Sequence, residues 1–391
     1  MLSRTRSFLV LLGALGILAA IAVALQPAPS ATPNQTTEAT STTQVASAAN
    51  AAVPSVASST PPTPPVAVAK KKVKPAAPPV SKPANDTTPN DQVVRIENPY
   101  PFAPLSFDTI NSVARAALVN IVCAPRGGTL RPISASGVII DPRGVILTNA
   151  HVAQYVLLSE STAVDLECVV RSGSPATAKW VPEVLYMPKA WVQAHAAEIL
   201  ADRPIGTGEY DYALLRIQSS VGGVTPTASA TAFPYLPVDT REGIGFIDDE
   251  VLVASYPAEF IGGLAAQNNL YPSSSVTAIK DLLTFGEKTI DLVSLGGIIE
   301  AQSGSSGGAV VNMWGRLIGI ITTTSEGATT AERDLHAITL SYIDRDMVQQ
   351  MQFNLGTVLG GDVAAEAAEF RSDVAPFLMR LLIDQLQHRT P

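Results

Sequence analysis

The sequence predicts an all-β protein of sandwich or barrel type, carried between residues 105 and 345. Three observations predict it: the apolar, β-branched runs are short, glycine- or proline-bearing turns separate them, and little helical periodicity lies between. The runs fall at 118–122, 137–140, 145–148, 164–170, 212–217, 251–256, 290–295, 309–312, 317–324 and 336–340. Helical texture is confined to 190–201, 344–353 and 362–388. In the last of these Phe370, Val374, Phe377, Leu378, Leu381 and Leu382 recur at helical spacing, and Pro376 should start a new helix or kink that one.

The N-terminus reads differently. Arg4 and Arg6 precede residues 8–25, which run 18 residues without a charge. Spanning a bilayer takes about 20 apolar residues, whereas the apolar part of a cleaved signal is about 7–15 long. Length favours an anchor, while Ala22-Val23-Ala24 fits a cleavage site. Either way the arginines stay inside and the rest is exported, to a periplasm or cell surface, tethered or secreted. Residues 27–104 are rich in Ala, Pro, Thr and Ser, with tracts such as Thr60-Pro61-Pro62-Thr63-Pro64-Pro65 that favour extended chain. They read as a disordered spacer. Lys70-Lys71-Lys72-Val73-Lys74 within it is either a solvated charge run or an attraction to an anionic surface. The expected organisation is a membrane anchor or signal at 1–26, the linker at 27–104, a folded domain at 105–345 and a helical extension at 346–391.

Charge narrows the partners. The 391 residues hold 26 Lys and Arg against 34 Asp and Glu, a net of −8. Residues 1–104 carry 8 basic and 4 acidic residues, leaving 18 and 30 beyond, a net of −12. An acidic folded part argues against nucleic acid, since phosphate binding needs a basic face. Solubilising charge accounts for the same number. The only cysteines, Cys123 and Cys168, cannot build a zinc site by themselves, and the sequence calls for no metal or other cofactor.

A serine-based acyl transfer needs a hydroxyl, a base to take its proton, and backbone N–H groups for the oxyanion. Gly304-Ser305-Ser306-Gly307-Gly308 supplies the first and the last. Glycines on both sides let the chain turn tightly beside a hydroxyl. In a Gly-x-Ser-Gly-Gly register Ser306 is the nucleophile, and the N–H groups of Gly304 and Ser306 form the oxyanion hole. A flexible Gly/Ser loop would be the better reading if the strand at 309–312 and the upstream partners were missing. The base is found nearly by elimination among four histidines. His388 is in the tail, His195 in a helical stretch, and His336 at a late strand. His151 ends the run Ser136-Gly137-Val138-Ile139-Ile140-Asp141-Pro142-Arg143-Gly144-Val145-Ile146-Leu147-Thr148-Asn149-Ala150-His151, which reads as strand, turn, strand and a short helical turn. For the acid that orients it, Asp211 stands just ahead of a buried-looking strand, a better setting than Asp165 or Asp202.

These three strings resemble the catalytic motifs of trypsin-like peptidases, in the order His, Asp, Ser, over roughly residues 105–345. The run from Ser136 to Val152 is most similar to the bacterial HtrA/Deg branch. The resemblance implies two six-stranded β-barrels packed side by side, with His151 and Asp211 from the first and Ser306 from the second. It further implies that Thr322, Thr323 and Thr324 pair with substrate backbone as an added strand. Glu300, six residues ahead of Ser306, would select a basic residue if it lay at the pocket floor; a solvated surface acid is the alternative. In an exported chain Cys123 and Cys168 could be joined as a disulfide; two buried free thiols are the alternative.

Three departures stand out. Sixty positions separate His151 from Asp211, more than HtrA-like enzymes usually have, which predicts an insertion beside the cleft. The residue before Ser306 is Ser305, not the aspartate that a freshly cut N-terminus binds in enzymes activated that way. The stretch after the last predicted strand is too short for a PDZ domain, so its helix is expected to pack on the barrel or to mediate self-association into a homo-oligomer. The function that follows is an exported serine endopeptidase acting on proteins or peptides. Two others compete: a catalytically silent binding module on the same fold, and an esterase using the same triad, which the motif order disfavours.

Overall fold

The computed structural model describes residues 93–128, 130–201, 206–223, 232–259, 269–286, 288–325 and 327–388, without the side chains of Thr323, Thr324 and His388. The expected anchor, most of the expected spacer and Asp202 lie outside them. Among the described residues, no helix is long and apolar enough to cross a membrane.

The chain opens with helix α1 (Phe107–Ala117), capped by Ser106, which accepts from Thr109 N, and buried through Ile110, Ala114 and Ala117. Strands β1 (Leu118–Pro125), β2 (Ile133–Asp141) and β3 (Val145–Thr148) follow. Then come α2 (Ala150–Ser159), β4 (Leu166–Ser172), β5 (Thr177–Tyr186), α3 (Lys189–His195) and β6 (Ala213–Ser220). The six strands close into a barrel in the order β1-β2-β3-β6-β5-β4. Alternate residues go to different cores. Val119, Ile121, Ile139, Ile146 and Leu215 pack with α2, whereas Leu118, Val138, Ile140, Leu147 and Leu214 join Leu252, Ala254 and Ile320 of the second sheet. Burial on both faces is why these strands read as unbroken apolar runs. Cys123 and Cys168 face each other across β1 and β4 and are joined as a disulfide.

The second half builds β7 (Glu250–Ser255), β8 (Ser273–Ala278), β9 (Asp281–Leu283), β10 (Leu292–Ser294), β11 (Ala309–Asn312), β12 (Leu317–Thr324) and β13 (Leu335–Thr339). A second closed six-stranded barrel was the expectation; the structure instead has a seven-stranded sheet ordered β8-β7-β11-β12-β13-β10-β9. Strands β8 and β9 are consecutive in the chain yet stand at opposite edges. Only Ile279 and Lys280 lie between them, so the sheet must curl round on itself at that corner. Ile279 bonds back to Asp249 while Lys280 N donates to Ser294 O at 2.8 Å, which splits one strand between two neighbours.

Residues 93–104, assigned to the spacer from sequence, instead lie along this sheet. Ile96 N donates to Gly243 O at 3.0 Å, Arg95 pairs with Asp249 at 2.7 Å, and Trp314 Nε1 donates to Phe102 O at 3.1 Å. Beyond β13, helices α4 (Leu340–Met351), α5 (Leu355–Gly360) and α6 (Val363–Glu369) lead through a π-helical turn at Phe370–Val374 into α7 (Ala375–His388). Pro376 follows closely on the π-helical turn, which interrupts the regular ladder where proline has no N–H to give. The tail returns to the first barrel. Phe370, Ala375, Leu378 and Leu382 bury against α2 and against Trp191, Val192 and Ile199 of the long His151-to-Asp211 segment. That segment is therefore the seat of the C-terminal helix.

Leu378 is fully buried in this seam, whereas Phe377 on the same helix is 43% exposed. Leu378→Ala is expected to lower stability by about 2–5 kcal/mol in urea unfolding, and Phe377→Ala by about 0.5 kcal/mol or less. Equal losses would contradict this packing.

Candidate functional site

The site is built where the two sheets share a core, from three loops. The first is the N-terminus of α2. Asn149 ends the β3 connection, and its Nδ2 donates to Asp211 O at 2.9 Å, tying the α2 turn to the start of β6. His151 is held twice by Asp211: its backbone N donates to Oδ1 at 2.9 Å, and its Nδ1 meets Oδ2 at 2.8 Å. Thr322 Oγ1 of β12 donates to the same Oδ2 at 2.8 Å. Asp211 is 5% exposed. Burial alone would push its carboxyl up, but the imidazole beside it and the three hydrogen bonds hold it below the usual carboxylate value. Burial likewise pushes the imidazole of His151 down, and the carboxylate of Asp211 overrides it to leave the histidine more basic than usual. With its Nδ1 proton donated to Asp211, the ring offers a lone pair at Nε2.

The second loop carries Ser306. Its carbonyl accepts from Ser136 N of β2 at 2.8 Å, and Ser136 O accepts from Thr148 Oγ1 at 2.8 Å, three residues ahead of His151. Gly307 sits between these groups with φ +81°. A Cβ there would lie 2.1 Å from Ser136 O and 2.5 Å from Thr148 Oγ1, so the residue must be glycine on two counts. In this way the loop that carries Ser306 is laid against the strand that feeds His151. Ser306 Oγ makes no hydrogen bond to a described residue.

The amides of the loop alternate. Ser305 N donates to Gln302 O, Gly307 N to Ile321 O and Gly308 N to Ser305 O, whereas those of Gly304 and Ser306 donate to no described group. Ser305, where an acid is absent, accepts from Ser255 Oγ of β7 at 2.9 Å, and Ser305 itself is buried.

The third loop follows β12. That strand pairs with β11 through residues 317–320 and with β13 through Thr324. From Thr322 to Thr324 its only ladder neighbour among the described strands is β13. The side chain of Thr322 is committed to Asp211, which leaves its backbone, the part expected to pair with substrate, unaffected. The remaining candidates are placed elsewhere. His195 stacks on Trp191 and meets Glu198 at 3.3 Å, and His336 meets Asp334 at 3.0 Å. Asp165 is exposed and lies 4.0 Å from Arg126. Glu300 is fully buried, with Oε1 accepting from Ser273 Oγ of β8 at 2.9 Å. Burial pushes its carboxyl up. Sequence reasoning missed Ser136 as the joint between the halves. The Ser-Gly start of its strand was visible, but nothing local marked the serine as a partner of Gly304 and Ser306.

The fold is that of a serine-type peptide hydrolase. Residues 135–320 match the family described as the trypsin-like peptidase domain, and the chain carries a trypsin-like serine peptidase domain. No curated protein matches it. Among solved structures it is similar to one titled the crystal structure of the serine endoprotease from Yersinia pestis. The identity is 21% and the TM-score 0.40, over 64% of this chain and 68% of that one.

The raised basicity of His151 has a consequence for pH dependence. A general base must be neutral, so kcat/KM is expected to fall on the acid side with a midpoint above the ordinary imidazole value of 6.5. Asp211→Asn should lower kcat about 10⁴-fold by fixing the wrong tautomer. A midpoint below 6.5, or a loss of less than about tenfold, would contradict the Asp211–His151 pairing.

Proposed function

We propose that this chain is an exported endopeptidase of the HtrA-like kind, tethered to the membrane by its N-terminus, that cleaves peptide bonds through Ser306, His151 and Asp211. The observation that carries the reading is the Asp211-oriented imidazole together with a loop whose Gly304 and Ser306 amides donate to no described group. His151 Nε2 takes the proton of Ser306 Oγ as the oxygen attacks the scissile carbonyl. The carbonyl oxygen, now negative, is received by the two amides. Collapse expels the amine, which takes the proton from His151 and leaves an acyl-enzyme on Ser306. Water, activated by the same imidazole, releases the acid and restores the serine.

The unshared edge of β12 at 322–324 favours an extended peptide as substrate, added as a strand. The HtrA-like assignment rests on the run from Ser136 to Val152, and export on Arg4, Arg6 and the uncharged stretch behind them.

A fluorophosphonate probe should label the purified domain, and Ser306→Ala should abolish the label; a label that survives the substitution would overturn the assignment. External protease added to spheroplasts of an expressing bacterium should remove the domain. Protection of the domain would place it inside and refute export.

A further inference from the structure

If Ser305 is not an acid and binds no new N-terminus, something else must hold the loop that presents the oxyanion amides. We infer that Glu259 is that device, a positioning residue for the Gly304 amide, and that its ion pair with Arg333 serves to hold Glu259 in place. The inference rests on the catalytic role of Ser306 proposed above.

The geometry follows from the planarity of the peptide unit. In a trans peptide the C=O and the N–H that follows it point in opposite directions. The N–H of Gly304 is therefore aimed by whatever holds Ser303 O, and the N–H of Ser306 by whatever holds Ser305 O. Ser305 O is held within the loop, by Gly308 N at 2.8 Å. Ser303 O is held from outside it, by Ala258 N at 2.8 Å, and Ser303 N donates to Glu259 Oε2 at 3.1 Å. Ala258 and Glu259 thus grip Ser303 on both its backbone groups. Neither residue lies in a strand, so their own position needs fixing.

Arg333 fixes it. Its guanidinium meets Glu259 in a fork, Nη1 to Oε2 at 2.7 Å and Nη2 to Oε1 at 2.9 Å. The same group donates to Ala301 O at 2.9 Å and, through Nε, to Gly327 O at 3.1 Å. One arginine therefore joins the loop after β7, the loop that carries Ser306 and the loop before β13. The fork is partly sheltered, with the side chains of Arg333 and Glu259 14% and 30% exposed. A bidentate pair of this kind fixes orientation as well as distance. Gly304 needs that constraint, because at φ +96° it occupies backbone space that glycine leaves soft on both sides. On the other flank Ser136 Oγ donates to Gly304 O at 2.8 Å, which settles the next peptide but not the one that aims the Gly304 N–H.

The test compares Glu259→Ala, Glu259→Gln and the exchanged pair Glu259→Arg with Arg333→Glu, in the full chain. Peptide turnover, the rate of fluorophosphonate labelling and the urea unfolding midpoint are read for each. Glu259→Ala should lower kcat about 10–100-fold with KM changed less than about threefold, short of the ~10²–10³-fold of removing an oxyanion donor outright. Glu259→Gln keeps an acceptor for Ser303 N and should recover to within about fivefold of the wild type. The exchanged pair restores the ion pair but offers Ser303 no acceptor, so its unfolding midpoint should recover while kcat stays low. Turnover of Glu259→Ala within twofold of the wild type, a loss seen only in KM, or full recovery of kcat in the exchanged pair would overturn the inference while leaving Ser306 as the nucleophile. Failure of the wild-type protein to label at Ser306 would overturn the catalytic reading, and this inference with it.

Discussion

The site depends on one buried residue of β2. Ser136 donates its amide to Ser306 O and its hydroxyl to Gly304 O, while that hydroxyl accepts from Tyr256 N and its carbonyl accepts from Thr148 Oγ1. Every polar group it owns is therefore used, with no exposed surface. Two of its partners belong to the nucleophile loop, one closes β7, and one precedes His151. Leaving such groups unpaired in a buried place costs about 1–3 kcal/mol each, so the loop that carries Ser306 is held against the first barrel by necessity. The first barrel thereby dictates where a serine from the second sheet stands.

That constraint explains why glycine flanks Ser306. With Ser136 bonded to the backbone on both sides of it, the loop lies in contact with β2 and β3, and no side chain fits at Gly307. The alternation of engaged and unengaged amides then follows from the backbone turning over at each step. Electrostatics reinforce the geometry. Asp211 is held below the usual carboxylate value in a buried place because His151 on α2 and Thr322 on β12 reach it from different halves, so its stabilisation and the assembly of the two halves depend on each other.

Much of this was legible in the sequence, for physical reasons. The strands at 137–140, 145–148 and 309–312, and β12 over 317–322, are buried on both faces, and such strands announce themselves as apolar runs. His151, Asp211 and Ser306 stood out because each sits beside such a run. What escaped notice lacked that signature. Strand β5 contains Pro182, which reads as a break; the structure places it at a shift in the β6 register, where a missing N–H is tolerated. Strand β8 is three serines and little that is apolar, an edge strand half in water. Helix α1 does carry a helical stripe, Phe107, Ile110, Ala114 and Ala117, but it runs straight into β1 and so merges with the apolar run of that strand. Long-range partners were invisible altogether. Nothing near Thr322 says that its hydroxyl will reach Asp211, and nothing near Arg333 says that it will meet Glu259.

The proposed chemistry turns on where the negative oxygen of the reaction goes. The most direct measurement is a crystal structure of the domain with a peptide boronate, whose tetrahedral boron stands in for the attacked carbonyl carbon. The account predicts a bond from boron to Ser306 Oγ and one boronate oxygen about 2.7–3.1 Å from the backbone nitrogens of both Gly304 and Ser306. Boron attached elsewhere, or an oxygen turned away from those two amides, would contradict it.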